Sequence, residues 1–145
     1  MKRVAPPSGA NPPESFELAD GTHVDLGPLA RRLCQLYYDV YPDDLERYGT
    51  AGQAWCEHDS RYLLAWALED ARAGTVDCVE QVAWLGRVLK GQAFPIERLA
   101  RHVELTAAVL RSSGAGGPRP ERCRSNIRGC ERTHQLRMGF SGTTR

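Results

Sequence analysis

The chain has 145 residues, of which 41% are hydrophobic and 26% are charged. This length and composition are typical of one globular domain that can bury a hydrophobic core. No apolar run approaches the ~18 residues that a membrane span requires, so we predict no membrane-spanning segment. The basic N-terminus has no apolar segment after it, so we predict no secretory signal and expect a cytoplasmic protein.

Charge is distributed unevenly. Residues 112–145 hold seven arginines and two glutamates, a net charge of +5, which leaves −4 for residues 1–111. Because the body is acidic and the basic tail has few aromatic residues, a nucleic-acid partner is not expected. Without an export signal, the cysteines are predicted to be reduced thiols, three of them small core residues on helices. The five are Cys34, Cys56, Cys78, Cys123 and Cys130.

Composition also divides the chain into three parts. Residues 1–15 are rich in Pro, Ser, Gly and Ala, which predicts a disordered leader. Residues 16–111 hold the periodic segments and form the predicted helical bundle domain. Residues 112–145 are rich in Gly, Ser and Arg without periodicity, which predicts a disordered tail. The abrupt change at residue 112 also raises the hypothesis of a gene truncation or a frame shift.

The domain is predicted to open with a short irregular or β segment. Residues 16–26 alternate apolar and polar side chains around an Asp20-Gly21 turn signal. This pattern favours either a small β-hairpin lying against the helices or an irregular segment. A first helix is then predicted from Pro28 to about Tyr41, because Pro42 disfavours helix in the residue before it.

The longest predicted helix lies in the middle of the chain. A short acidic helix over 42–48, closed by Gly49, is expected to lead into a helix over 50–73 that Gly74 ends. An apolar stripe at spacings of three, four and seven predicts which face of the long helix is buried. Its predicted inward residues are Trp55, Tyr62, Leu63, Trp66, Ala67 and Asp70.

Two further helices complete the predicted domain. Thr75 can cap a helix that ends at Gly91, and a last helix is expected from Phe94-Pro95 to Ser112. Short connections between helices favour neighbours packed largely antiparallel. The predicted fold class is therefore all-α, a compact bundle of four main helices plus a short connecting helix, with disordered termini.

The densest cluster of functional side chains is Cys56-Glu57-His58-Asp59. A helix separates adjacent residues by about 100°, so these four side chains cannot all converge on one site. We expect a buried thiol and a solvated polar face, with Glu57 and Ser60 directed away from the core. A nucleophilic Cys–His pair would need contact across helices, so no catalytic residue is predicted and the chain is not expected to be an enzyme.

Asp59 shares the predicted inward stripe with three aromatic residues. Because an unpaired buried charge is costly, we expect it to have a partner. The candidate partners are Tyr37, Tyr38, Arg61, Arg101 and His102. Aromatic side chains between helices usually fill a core, but they can also line a pocket for a flat ligand. The candidate pocket residues are Trp55, Asp59, Tyr62 and Trp66.

Metal binding is not predicted. His102 has no partner at the spacing that helical metal sites use. Cys123, Cys130 and His134 in the tail have suitable residue types for zinc, but their spacing matches no common zinc module and a fourth ligand is missing. No resident cofactor is predicted either.

Residues 29–110 resemble the helical N-terminal input modules of bacterial sensor and regulatory proteins. Three segments carry the resemblance: LARRLCQLYYDVYPDDLERYG, RYLLAWALEDARAG and VEQVAWLGRVLKGQAFPIERLARHVELTAAVL. They look most like segments that feed stress-response antagonists, phosphatases or cobalamin-binding regulators. In the cobalamin family a following α/β domain supplies an Asp-x-His-x-x-Gly motif, which this sequence lacks, so cobalamin binding is not carried over.

The resemblance implies a non-enzymatic sensory or docking module. The predicted function is therefore regulatory, through protein–protein contacts with a partner or in a homodimer. The alternative is a small-molecule sensor that holds haem, a corrinoid or another tetrapyrrole in an aromatic-lined interior.

Overall fold

The computed structural model describes residues 11–74 and 77–115. The elements in chain order are β1 (Ser15–Glu17), β2 (His23–Asp25), α1 (Leu26–Val40), α2 (Pro42–Arg72), α3 (Cys78–Gly91) and α4 (Ile96–Ser113). The predicted helical class is confirmed in its main part, and a small two-stranded sheet is added to it. Within the described ranges, every helix is too short or too polar to cross a membrane.

The predictions for the two termini concern residues that lie largely outside these described ranges. Most of the predicted leader and nearly all of the predicted tail lie outside the described residues, as do Cys123, Cys130 and His134. At the boundary, α4 continues to Ser113 and ends at Gly114, which takes a left-handed φ of 69°. Ala115 follows with only 6% of its surface exposed.

The first segment is a β-hairpin, one of the two expected alternatives. β1 and β2 pair antiparallel with Phe16 opposite Val24, and both side chains pack against the core. Gly21 supplies the positive φ of 85° that the turn needs. The Arg72 guanidinium lies 5.2 Å from the Phe16 ring centroid, so the end of α2 holds the hairpin against the helices.

An aspartate directly precedes and caps each of two helices, so both helices begin at residues other than the predicted ones. The Asp25 carboxylate accepts a hydrogen bond from the Gly27 N–H at 3.0 Å, so α1 begins before Pro28. The Asp77 carboxylate accepts from the Glu80 N–H at 3.2 Å and caps α3, the role predicted for Thr75. In both cases the carboxylate satisfies a donor that the first helical turn leaves unpaired.

A break at Gly49 divides α2 into two arms, over 42–48 and 50–72. Gly49 has φ 59° and ψ −150°, a backbone conformation that side chains with a Cβ rarely adopt. The predicted connecting helix and long helix are therefore both present, joined at this residue. Gly74 then takes a φ of 65° after the last turn, as predicted.

The buried face of the second arm differs from the predicted one. Ser60, which was predicted to face away, is 0% exposed, so this prediction is wrong. The core side of this arm comprises Ser60, Leu63, Leu64, Ala67 and Leu68, all below 4% exposed. Tyr62 and Trp66 are only half-buried, because they lie about 100° around the helix from this aliphatic face. α1, α3 and α4 pack against α2.

A buried carboxylate joins the first arm of α2 to two other helices. Asp44 is 2% exposed and accepts from the Tyr37 hydroxyl of α1 at 2.5 Å. Its other oxygen accepts from Arg98 Nη1 of α4, also at 2.5 Å. Burial, and to a smaller extent the hydrogen bond to Asp44, raises the pKa of Tyr37, so its hydroxyl stays protonated and acts as a donor. The Arg98 guanidinium also lies 4.5 Å from the Tyr41 ring centroid.

We expect the substitution Arg98→Met to destabilise the fold substantially. It removes one of the two donors to Asp44 and leaves a buried carboxylate with Tyr37 alone. Loss of one partner of a buried ion pair costs about 3 kcal/mol in the free energy of unfolding, which urea denaturation at neutral pH measures.

Arg47→Met is the matched control, because Arg47 forms an exposed ion pair with Asp43 at 3.9 Å. Exposed pairs of this kind contribute little to the free energy of unfolding, because water and salt screen the charges. Equal losses in the two variants would contradict a structural role for the Asp44–Arg98 pair.

Candidate functional site

Four side chains with rings follow one flank of the second arm of α2. Their ring centroids are 5.2 Å apart for Trp55 and His58, 5.1 Å for His58 and Tyr62, and 5.6 Å for Tyr62 and Trp66. Spacings of three and four residues place them on adjacent turns of one face. All four are half-buried. We call these four residues the aromatic row.

Asp59 lies beside the aromatic row. Its carboxylate is 3.1 Å from His58 Nδ1, and its side chain is 21% exposed. Burial raises the pKa of Asp59, while the hydrogen bond to His58 opposes that shift. His58 was absent from the predicted partners. The four predicted pocket residues thus lie along one flank of α2, and ligand binding there stays a prediction.

A second cluster joins α1, α2 and α4 inside the core. The Ser60 hydroxyl lies 2.8 Å from His102 Nε2 and 3.5 Å from the Cys34 sulfur. Cys56 lies one turn before Ser60 on α2 and is half-buried. We call Cys34, Ser60 and His102 the buried polar chain.

Burial fixes the charge state of His102. The side chain is 7% exposed, its ring centroid is 5.1 Å from that of Tyr37, and burial lowers its pKa to about 4. The imidazole is therefore neutral at pH 7, with one ring nitrogen as donor and the other as acceptor. When Nδ1 carries the proton, Ser60 donates to Nε2, and the Ser60 oxygen remains free to accept from a thiol.

The Ser60–His102 pair has the residue types of a nucleophile and its base. Ser60 is 0% exposed, however, so a substrate cannot reach its hydroxyl in this arrangement. The pair instead satisfies two polar groups that would otherwise be unpaired in the core. Its role in this arrangement is to connect α2 to α4.

The Cys56-Glu57-His58-Asp59 side chains separate as their helical spacing predicts. Cys56 is half-buried, Glu57 accepts a hydrogen bond from Arg61 at 3.1 Å, and His58 pairs with Asp59. Throughout the described residues, three or more His, Cys, Asp or Glu side chains nowhere come together as a set that could hold a metal ion.

The aliphatic residues of α2 carry a sequence signal for the burial of Ser60. Ser60 lies three residues before Leu63 and four before Leu64, and Ala67 and Leu68 each follow one of these leucines by four residues. A stripe based on aliphatic residues would have placed Ser60 in the core. Its contact with His102, 42 residues away, has no signal in a single sequence.

We expect acid to destabilise the protein through His102. Its folded-state pKa of about 4 lies below the ordinary value of 6.5, so the stabilisation is complete above pH 6.5 and is lost towards pH 4. The loss in the free energy of unfolding reaches about 3 kcal/mol. Urea denaturation of the wild type and of His102→Gln across this pH range measures it.

The His102→Gln variant keeps a neutral hydrogen-bonding side chain near Ser60, and this side chain does not titrate. Asp59, whose raised pKa favours the folded state on acidification, is present in both proteins and cancels in the difference. A stability difference between the two proteins that is independent of pH would contradict neutral burial of His102.

No protein-family model, no curated protein and no solved structure matches this chain. The resemblance of residues 29–110 to helical input modules therefore stays a prediction. The described side chains are the basis on which a function can be proposed.

Proposed function

We propose that this protein is a non-enzymatic regulatory module that acts through protein–protein contacts made by α3. The observation that carries the proposal is an exposed apolar patch in which Trp84 is 50% exposed and Val88 is 38% exposed. The two residues are one turn apart, so they share a face. Tryptophan is among the residues that contribute most to protein interfaces, and exposed apolar patches mark such sites.

A second copy of the chain is the partner that fits this patch. Glu80 and Arg87 are both exposed and lie on either side of Trp84 along α3. In an antiparallel two-fold pairing centred on Trp84, Glu80 of one copy lies near Arg87 of the other, and the reverse contact forms by symmetry. Opposite charges thus meet around an apolar centre, which favours this pairing over a parallel one.

Self-association measured by light scattering after size-exclusion chromatography tests the proposal over a wide concentration range. We expect the wild type to form a dimer and Trp84→Asp to weaken dimerisation at least tenfold, since a carboxylate at the centre would be buried unpaired. Glu80→Arg should weaken the dimer through repulsion, and addition of Arg87→Glu should restore it.

Leu45→Asp is the matched control, because Leu45 is a 41% exposed apolar residue on α2. This variant is expected to dimerise like the wild type. Circular dichroism establishes that each variant keeps its helices. A wild type that stays monomeric at every concentration, or equal weakening by Leu45→Asp, would overturn the dimer.

The aromatic row supports a second candidate function, recognition of a flat ligand such as a tetrapyrrole. Its ring centroids lie at the separations of stacked or edge-to-face pairs, and its side chains are half-buried. A flat molecule could stack along this surface with Asp59 as a polar contact.

Titration with hemin, followed by its absorbance and by tryptophan fluorescence, tests this candidate. Tyr62→Ala should weaken binding about tenfold by removing the ring between His58 and Trp66. Trp84→Ala is the control, since Trp84 lies on α3 and outside the aromatic row. Equal weakening by both variants would indicate non-specific adsorption and contradict a site on α2.

A further inference from the structure

The first arm of α2 contributes little apolar surface to the core. Of its seven side chains, Asp44 is buried and Tyr48 is half-buried. The other five are exposed, and they include the one aliphatic side chain of the arm, Leu45, at 41%. Segments with few buried apolar contacts are the ones that open locally while the core of a protein stays folded. The arm therefore depends on its polar contacts to stay in place.

Polar side chains of α1 and α4 supply those contacts. The Asp44 carboxylate accepts hydrogen bonds from the Tyr37 hydroxyl and from Arg98 Nη1, both at 2.5 Å. Arg98 Nη2 also donates to the neighbouring Asp43 carboxylate at 2.8 Å. If the arm moved away, water would solvate the carboxylates and the guanidinium. The polar contacts thus favour the closed position without the cost that exposure of an apolar core would carry.

Two glycines lie where the arm meets the rest of α2. Gly49 takes a φ of 59°, which glycine adopts without strain. At Gly52, an added Cβ would collide with the Cβ of Tyr48. The last residue of the arm thus packs where a side chain is missing, and its ring centroid lies 6.2 Å from that of Phe94. The closed position of the arm requires a glycine at residue 52.

We propose that the first arm of α2 is a hinged latch, which opens as a unit at Gly49 while the rest of the bundle stays folded. Pro42 marks the other end of the latch, because it lacks the N–H that would continue the hydrogen bonds of α1. Opening would expose Tyr37, which is 4% exposed in the closed position and has its ring centroid 5.1 Å from that of His102. The latch therefore controls access to this end of the buried polar chain.

Nothing in the proposed dimerisation through α3 depends on the latch, so the two proposals fail or succeed separately. Amide hydrogen exchange of the full chain, read by mass spectrometry of its peptic peptides, tests the latch directly. In the wild type we expect residues 44–48 to exchange faster than residues 63–68, which lie in the core. Opening of the latch would expose only the first segment, whereas global unfolding exposes both.

Gly52→Ala is expected to open the latch. The added methyl group collides with Tyr48 only in the closed position, and overpacking of this kind makes opening about tenfold more frequent or more. Exchange at residues 44–48 should accelerate by that factor. Exchange at residues 63–68 should not accelerate, because alanine favours the helical conformation of the second arm more than glycine does.

Tyr37→Phe tests the polar contact by a separate route. It keeps the buried ring and removes the hydroxyl that donates to Asp44. Because hydrogen bonds to charged groups are strong, exchange at residues 44–48 should again accelerate about tenfold or more. Gly91→Ala is the matched control for Gly52→Ala, since an added Cβ at Gly91 would meet nothing within 4 Å. This variant should exchange like the wild type at residues 44–48.

Three results would overturn the proposal. Equal acceleration at residues 44–48 and 63–68 would show that the arm opens only when the whole bundle unfolds. An unchanged rate at residues 44–48 in a folded variant would show that neither contact controls the arm. Exchange of this segment in the wild type at the rate of an unfolded peptide would show that no closed latch exists. If Gly52→Ala fails to fold, as circular dichroism would show, the wild type and Tyr37→Phe decide the matter.

Discussion

Burial of one aliphatic face of α2 determines which parts of the molecule remain available for function. Leu63, Leu64 and Leu68 are each at most 3% exposed, and full burial of such a side chain contributes about 1.5–3 kcal/mol. This face fixes the rotation of the helix about its axis. Tyr62 and Trp66 then lie on the flank, because each helical residue is about 100° from the next. The half-buried aromatic row follows from the position of the leucines.

Buried polar contacts complement this apolar face by specifying how the helices align. Cys34 and Tyr37 are one turn apart on α1, and they contact Ser60 and Asp44 on the two arms of α2. Leucines alone would tolerate a shift along the helix axis, whereas such a shift would leave buried carboxylate and imidazole groups unpaired. The polar groups therefore restrict the packing to one arrangement, in which α4 supplies the partners of both arms, Arg98 and His102.

Much of the helical architecture could be predicted from local signals, while the site could be predicted only in part. Gly49 and Gly74 mark helix ends because their backbone conformations exclude most other residues, and this constraint is visible in the sequence. An aromatic stripe places Ser60 on the wrong face, because the leucines and not the aromatic residues define the buried side of the helix. The pairing of Asp44 with Arg98 joins residues 54 apart and depends on how the helices pack, which periodicity does not encode.

The two proposed surfaces lie on different helices, and this separation has a physical consequence. The aromatic row lies on the second arm of α2, whereas Trp84 and Val88 are exposed on α3. α3 packs against α2 and α4, which are themselves connected through Ser60 and His102. A ligand on the aromatic row can therefore influence the contacts made by α3 only through a displacement of α2 or α4. Because the Ser60–His102 contact and the buried leucines fix the position of α2, the packing favours independence of the two surfaces.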